Sequence, residues 1–394
     1  MKIIITIIFT SINLLSFGQW ISLNSGTTEQ LRGVFFTNAD TGTVVGANGI
    51  ILRTEDGGEN WSPVSSGITN RLYAIQFTSD QIGYIVGESG LVLKTTDGGN
   101  NWSDISIGNS TLFDLFFISN DTGYIVGDKG ALFKTLDGGQ NWIDLSLDYK
   151  GLFSVFFNTA DSGCIVGWGD SKSILKTTDG GVTFSNKDTT SISFYQSLYF
   201  TSPDTGYICS SAPNGAIFRT TNSGISWTRV FSNSLYGLYA IQFPSARVGY
   251  AVGHSDKAVI LQTNNSGSTW SGLSFDSQQR LYDCFFISEE TGYAVGTNGI
   301  IMKKSDEGVG TKNLLLDSLL TIYPNPTSDF IIIELADPIK IGAIITLTNL
   351  SGQVILQERR LDNGKLNISE IPAGAYLLRV ESNNNTASKL VLKL

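Results

Sequence analysis

The chain has 394 residues, 15% of them charged, a net charge of −9, 43 glycines, three cysteines and a single histidine. Residues 19–322 carry 18 basic against 28 acidic side chains, which leaves no basic stripe for nucleic acid or an anionic membrane. With His254 alone, His-based triads and paired-histidine metal sites are excluded, and no metal or cofactor is expected.

Met1-Lys2, the apolar run Ile3–Phe9 with Leu14-Leu15, and the small residues Ser16 and Gly18 read as a secretory signal peptide over 1–18. No later apolar run is long enough for a membrane helix. A Trp strand, Gln19–Leu23, follows at once. From there the pattern of Gly83–Trp102 recurs. Its Gly-Tyr pair has counterparts at Gly42, Gly123, Gly163, Gly206, Gly249 and Gly292, spaced by 40 to 43 residues. That period, with β-branched and aromatic runs broken by Gly and Asp turns, fits a four-stranded propeller blade.

Within one copy, an inner strand Leu72–Phe77 precedes a second strand ending at Val86-Gly87. A third strand, Leu91–Thr95, and a fourth entered at Trp102 complete the blade. The seventh copy lacks its Trp strand, because Gly308-Val309-Gly310 runs straight on. Trp20 keeps the repeat register with Trp61, so Gln19–Leu23 is expected to complete blade seven and close the ring. The expected fold is all-β: a seven-bladed propeller over 19–311, a linker at 312–322 and a small Ig-like sandwich over 323–394. Cys164, Cys209 and Cys284 fall in three different blades at apolar columns and are expected as buried thiols, without a disulfide.

The turns between third and fourth strands read Thr-x-Asp-x-Gly-x-x-Trp, with Asp56, Asp97 and Asp137, with Asp179 where Phe184 takes the Trp place, and with Asn222 and Asn265 in blades five and six. They resemble the Asp box of sialidase-type propellers, where the motif is structural. Locally, the side chain should accept hydrogen bonds from turn amides while the Trp packs between blades. The whole repeat, GY-x-VG with TTDGG-x-x-W, resembles the photosystem II assembly and stability factor family, which implies a seven-bladed propeller.

Residues 323–394 break the period. Tyr323-Pro324-Asn325-Pro326-Thr327, Leu350-Ser351-Gly352-Gln353-Val354, Pro372-Ala373-Gly374-Ala375-Tyr376 and the final Lys389–Leu394 resemble the type A sorting domain of type IX secretion cargo. The resemblance implies an address read by the outer-membrane translocon, then removed by a sortase, and a secreted or cell-surface product.

No catalytic residue stands out. Sialidases need three arginines around the channel, and Arg32, Arg71 and Arg280 have no equivalents in blades three to six. The connections into the inner strands and the second-to-third-strand turns should share one face, with the Asp boxes on the other. That turn lengthens in blades four, five and six, adding Trp168, Asp170 and Lys172, then Pro213 and Asn214, then His254, Asp256 and Lys257. On the same face the inner strands start with Arg32, Tyr73, Phe113, Phe153, Gln196, Tyr239 and Tyr282. Aromatic rings with a few polar groups at a concave mouth suit sugar or peptide binding. The expected ligand site is therefore Trp168, Tyr73, Tyr239, Tyr282, Arg71, Arg280 and His254. The expected function is a non-enzymatic binding or adhesion module. The alternative is a glycan-processing hydrolase or lyase.

Overall fold

The computed structural model describes residues 19–169, 173–187, 194–211, 215–274, 278–305, 320–335, 344–349, 354–358, 364–382 and 385–394. The expected signal peptide and most of the expected linker lie outside these residues, as do Asp170, Lys172, Pro213 and Asn214. The chain divides into two compact units, Met1–Ser305 and Asp306–Leu394.

The first unit holds seven four-stranded antiparallel sheets, as the period requires. In blade two the strands are Leu72–Phe77, Gly83–Gly87, Val92–Thr95 and Ser103–Asp104, hydrogen-bonded in that order. The outermost strand is two residues long in blades one to four, which blunts the exposed edge. The inner strands touch in succession around the ring, and that of blade seven meets that of blade one. Blade seven is completed from the other end of the chain: Gln19–Leu23 pairs antiparallel with Ile301–Ser305, Trp20 opposite Lys304. Trp20 is buried, its ring edge-on to Phe286 of its own sheet at 5.9 Å and to Tyr250 of blade six at 6.3 Å.

The packing explains the repeated Gly-Tyr pair. Each inner strand ends on a Phe, or in blade six just before Phe243, and that ring lies flat across the Gly that opens the second strand of the same blade. A Cβ on Gly83 would stand 2.7 Å from the Phe77 ring, and one on Gly123 2.5 Å from Phe117. The other face of that Phe receives the Tyr of the preceding blade: Tyr84 on Phe117 at 3.9 Å, Tyr124 on Phe157 at 3.7 Å and Tyr293 on Phe36 at 3.8 Å. The Tyr hydroxyl then donates to a carbonyl in the next blade's Asp-box turn, as Tyr84 to Gly138 at 3.0 Å and Tyr293 to Gly57 at 2.8 Å, except that Tyr250 donates to Glu289 of blade seven at 3.4 Å. Lys94 and Lys303 donate to the same two carbonyls. The apolar clusters accordingly straddle neighbouring blades rather than filling single ones.

Each Asp-box side chain is used up locally. Asp97 Oδ1 accepts from Thr95 Oγ1 at 2.8 Å and from the Asn101 N–H at 2.9 Å, and Oδ2 accepts from Asn101 Nδ2. Asp56, Asp137 and Asp179 repeat this pattern, and Asn222 and Asn265 keep the Oδ1 half of it. The turn itself needs consecutive left-handed residues, met in blade two by Gly98 and Gly99 at φ 71° and 86°. Cys164, Cys209 and Cys284 are free and buried, as expected.

The second unit is a sandwich of a three-stranded sheet (Leu320–Tyr323, Phe330–Leu335, Lys365–Asn367) and a four-stranded one (Val354–Glu358, Ile344–Asn349, Gly374–Ser382, Asn385–Lys393). Leu320, Ile331, Ile333 and Leu366 of one sheet share a core with Ile345, Leu347, Leu378, Val380 and Val391 of the other. Leu320–Ile322, expected in the linker, pair with Ile333–Leu335 and so belong to the sandwich. Leu320 is fully buried, which the sequence reading of a connector overlooked.

Deleting Gln19–Leu23 removes the Trp20 ring and one strand from a closed sheet. Loss of a large core aromatic costs about 3–5 kcal/mol, so denaturant melts of the shortened chain should report at least that much destabilisation. An unchanged midpoint would mean that the ring closes without this strand.

Candidate functional site

Every inner strand carries a β-bulge near its start, at the second residue in five blades and at the third in blades four and six. The ladder slips between Leu31 and Gly33, Leu72 and Ala74, Leu112 and Asp114, and at the same place in the other four blades. A bulge re-aims a side chain, and here it does so at one end of the central channel in all seven blades. The backbone there is pinned by the Gly that ends each Val-Gly pair. A Cβ on Gly87 would sit 2.5 Å from the Arg71 carbonyl, and one on Gly296 1.8 Å from that of Arg280. Those carbonyls accept from the N–H of Glu88 at 2.9 Å and of Thr297 at 3.0 Å.

The bulged residues form an arc of touching groups around the mouth. Tyr239 meets Tyr282 at 5.2 Å between ring centroids, and the Arg32 guanidinium lies 3.9 Å above the Tyr282 ring and 5.7 Å from that of Tyr73. Tyr73 continues to Phe113 at 5.4 Å, and Phe113 to Phe153 at 5.1 Å. Gln196 interrupts the arc in blade five, its amide donating to Ser211 at 3.0 Å. Arg32 Nε donates to Gln30 Oε1, whose Nε2 in turn donates to the Tyr282 hydroxyl at 2.9 Å. All seven bulged side chains are partly exposed.

Of the residues expected from sequence, Tyr73, Tyr239 and Tyr282 belong to this arc. His254 flanks it, stacked on Tyr239 at 5.4 Å, and burial together with the Arg280 charge holds its imidazole below the usual value. Arg71 lies 3.6 Å from Glu88, which is also within 3.5 Å of the Tyr73 hydroxyl. Trp168 stands apart. Its ring stacks on Phe194 at 5.0 Å, with the Lys150 ammonium 5.3 Å from its centroid, and it bridges to Phe194 in the connection into blade five. Expected as a ligand contact, it remains exposed and also packs against the segment that leads into blade five. Arg32 is the larger omission: it links Tyr282 to Tyr73, and its place in the aromatic column was the available signal.

Behind the arc, Asp114 and Asp283 occupy a column otherwise filled by Gly, Ala and Ser. Asp283 Oδ2 accepts from the Val34 N–H of blade one, and Asp114 Oδ2 from the Val155 N–H of blade four, both at 3.0 Å. Gln76 and Gln242 make the corresponding bonds to Phe117 and Phe286, and Ser154 and Ser197 to Leu198 and Ile241. Both carboxyls face the lumen and stay partly exposed there, with strands packed closely around them. Burial pushes Asp114 up to about 6 and Asp283 up to about 7, against the N–H bonds that pull the other way.

An all-β chain of seven such sheets, closed by its N-terminal strand and followed by a small sandwich, is a seven-bladed β-propeller with an appended Ig-like domain. The family described as photosynthesis system II assembly factor YCF48 matches residues 12–112 and 107–234, and the chain belongs to that family. Residues 321–393 match the secretion system C-terminal sorting domain, which marks the chain for export by the type IX system. Similar solved structures include YCF48 bound to a D1 peptide (21% identity, TM-score 0.61), covering 74% of this chain and 98% of that one. YCF48 from Cyanidioschyzon merolae is 19% identical at TM-score 0.60, covering 74% and 99%. The GH74 enzyme of Niastella koreensis is 12% identical at TM-score 0.61, covering 95% and 74%. These likenesses establish the fold. No curated protein matches the chain. Among the described residues, no helix is long and apolar enough to cross a membrane.

The two channel carboxyls give the propeller a signed pH dependence. Their folded values lie above the 3.8 of a free Asp, so the fold binds protons more tightly than the unfolded chain. Their contribution is complete below that value and is lost as the pH rises through about 6 and about 7. Asp56, Asp97 and Asp179 act oppositely: hydrogen bonds hold them at about 2, so what they contribute is lost only as the pH falls towards that value. Asp283→Asn keeps an acceptor for Val34 and should flatten the fall in stability between pH 5 and 8 measured by denaturant melts. An undiminished slope in that variant would show that Asp283 is not held protonated by burial.

Proposed function

We propose that this protein is an exported, non-enzymatic binding module whose ligand docks on the arc from Tyr239 to Phe153. One observation carries the reading: seven bulges aim seven side chains at one channel mouth, and six of them touch in series. A distortion repeated near the start of each inner strand does nothing for the ladder, whereas a contiguous arc of aromatic faces around a guanidinium offers stacking and hydrogen bonding to a sugar or peptide. The Asp-box carboxylates are spent on their own turns, which leaves the mouth as the better furnished face. A related propeller is known bound to a D1 peptide, which favours a peptide ligand. The signal peptide expected over 1–18 would deliver the chain to the periplasm, and the sorting domain would carry it to the surface or the medium.

The likeness to a GH74 enzyme supports a glycan-processing reading as second choice. Against it, Glu88 beside the arc is engaged by Arg71, and Asp114 and Asp283 are each tied to a neighbouring strand. Incubating the purified protein with a panel of polysaccharides and peptides separates the two. Retention without products, reduced at least tenfold by Tyr282→Ala, is the expected outcome, since a central aromatic contact is worth about 2 kcal/mol or more. Turnover of any panel member would overturn the binding-module reading in favour of the hydrolase.

Removing residues 320–394 should leave the propeller folded, since Met1–Ser305 forms its own compact unit, but hold it in the periplasm. Cell fractionation that finds the shortened chain at the surface or in the medium at normal levels would refute sorting by this domain.

A further inference from the structure

Inside the arc the channel forms a cup of about 270 Å3. Its wall is of small side chains such as Ala74, Ser154 and Ser197, apart from Asp114 and Asp283 on blades three and seven. A second aromatic tier lies deeper, where Phe35 meets Phe285 and Phe116 meets Phe156, both at 4.6 Å. The two carboxyls sense each other across the lumen, the Asp114 charge pushing Asp283 upwards. The ionisable groups on the strands around them are Arg32, Cys284 and the hydroxyls of Tyr73, Tyr199, Tyr239 and Tyr282. Arg32 is the one cation among these, and it is committed at the lip to Gln30 and the Tyr282 ring. No basic group contributes to the shift of either carboxyl.

The cup thus combines two lumen-facing carboxyls, aromatic faces above and below them, and room for a side chain or a single sugar ring. Aromatic faces attract cations, and a carboxylate that the fold has already part-desolvated has less hydration left to lose when an ammonium reaches it. We propose that the cup takes a primary ammonium group on a slim stem, seated between Asp114 and Asp283 behind the aromatic arc. This rests on the mouth being the binding face and adds the chemistry of what enters it. The ammonium could be presented by a lysine of a partner chain or by an amino sugar, and the two sources share the same site.

The test uses the full chain and n-butylammonium as probe, with 1-butanol as its neutral counterpart. Titration followed by the methyl resonances of Val34, Val155 and Ile241, which line the cup, should show saturable shifts with butylammonium and none with butanol. Asp114→Asn combined with Asp283→Asn should weaken the probe at least tenfold, and each single variant should weaken it in part. Equal shifts from amine and alcohol on the unaltered chain would overturn the proposal whether or not the variants fold. A lysyl tripeptide and glucosamine are then compared with their N-acetylated forms. A preference for either free amine supports the proposal and names the source, and no preference in both pairs overturns it. Should a panel ligand bind at the mouth with Tyr282 dependence but indifference to both Asn changes, the ammonium cup fails while the binding-module reading stands.

Discussion

The ring depends on one sandwich of groups: the Phe that ends each inner strand, held between a Gly of its own blade and a Tyr of the blade before. The Gly is there because any side chain would occupy the space of the ring; the Tyr is there because it covers the ring's other face and reaches an Asp-box carbonyl with its hydroxyl. Phe117 shows the whole set, with Gly123 beneath it, Tyr84 above at 3.9 Å and Trp142 edge-on at 6.3 Å. Sequence positions that look like separate motifs are one interaction seen from four strands. The Asp box is the last member, since its hydrogen bonds fix the carbonyl on which the neighbouring Tyr and Lys converge.

Two of the seven interfaces lack this lock. Blade one has Thr43 where Tyr is expected, and its link to blade two relies on Arg53 donating to the Gly98 carbonyl at 3.1 Å. Blade four has Cys164, and its Lys176 turns back to Ser162 of the same blade. There the contact of Trp168 with Phe194 supplies extra packing. The Tyr-on-Phe stack therefore runs through arcs of three and four blades, and apolar clusters carry the packing across the two interfaces between them.

Much of the fold was legible in the sequence because a blade repeats its chemistry at a fixed period. The count of seven, the closure by Trp20 and the burial of three thiols all follow from register alone. The sandwich boundary was less legible: Leu320 pairs only with a strand still to come, and nothing local distinguishes it from a connector. For the site, the aromatic column could be read, but the bulge that turns it to the mouth could not, because a one-residue slip in pairing leaves no mark on composition. Trp168 shows the same limit from the other side. A large ring outside the repeat looks free in sequence, and only the fold brings Phe194 to it. Asp114 and Asp283 were visible as two acids in a column of Gly, Ala and Ser, a departure whose meaning needs the channel.

The pairing of Gln19–Leu23 with Ile301–Ser305 also sets an order of events. A chain that emerges N-terminus first carries its closing strand unpaired until the last blade has appeared, so the ring cannot be finished piecemeal. Closing so long a loop costs little more than closing one of half the length, about 0.6 kcal/mol for each doubling. What it demands is time, during which blade seven lacks its outer strand and the Trp20 ring lacks its seat. The joint that makes the finished propeller hard to open is thus also the step that keeps it open longest.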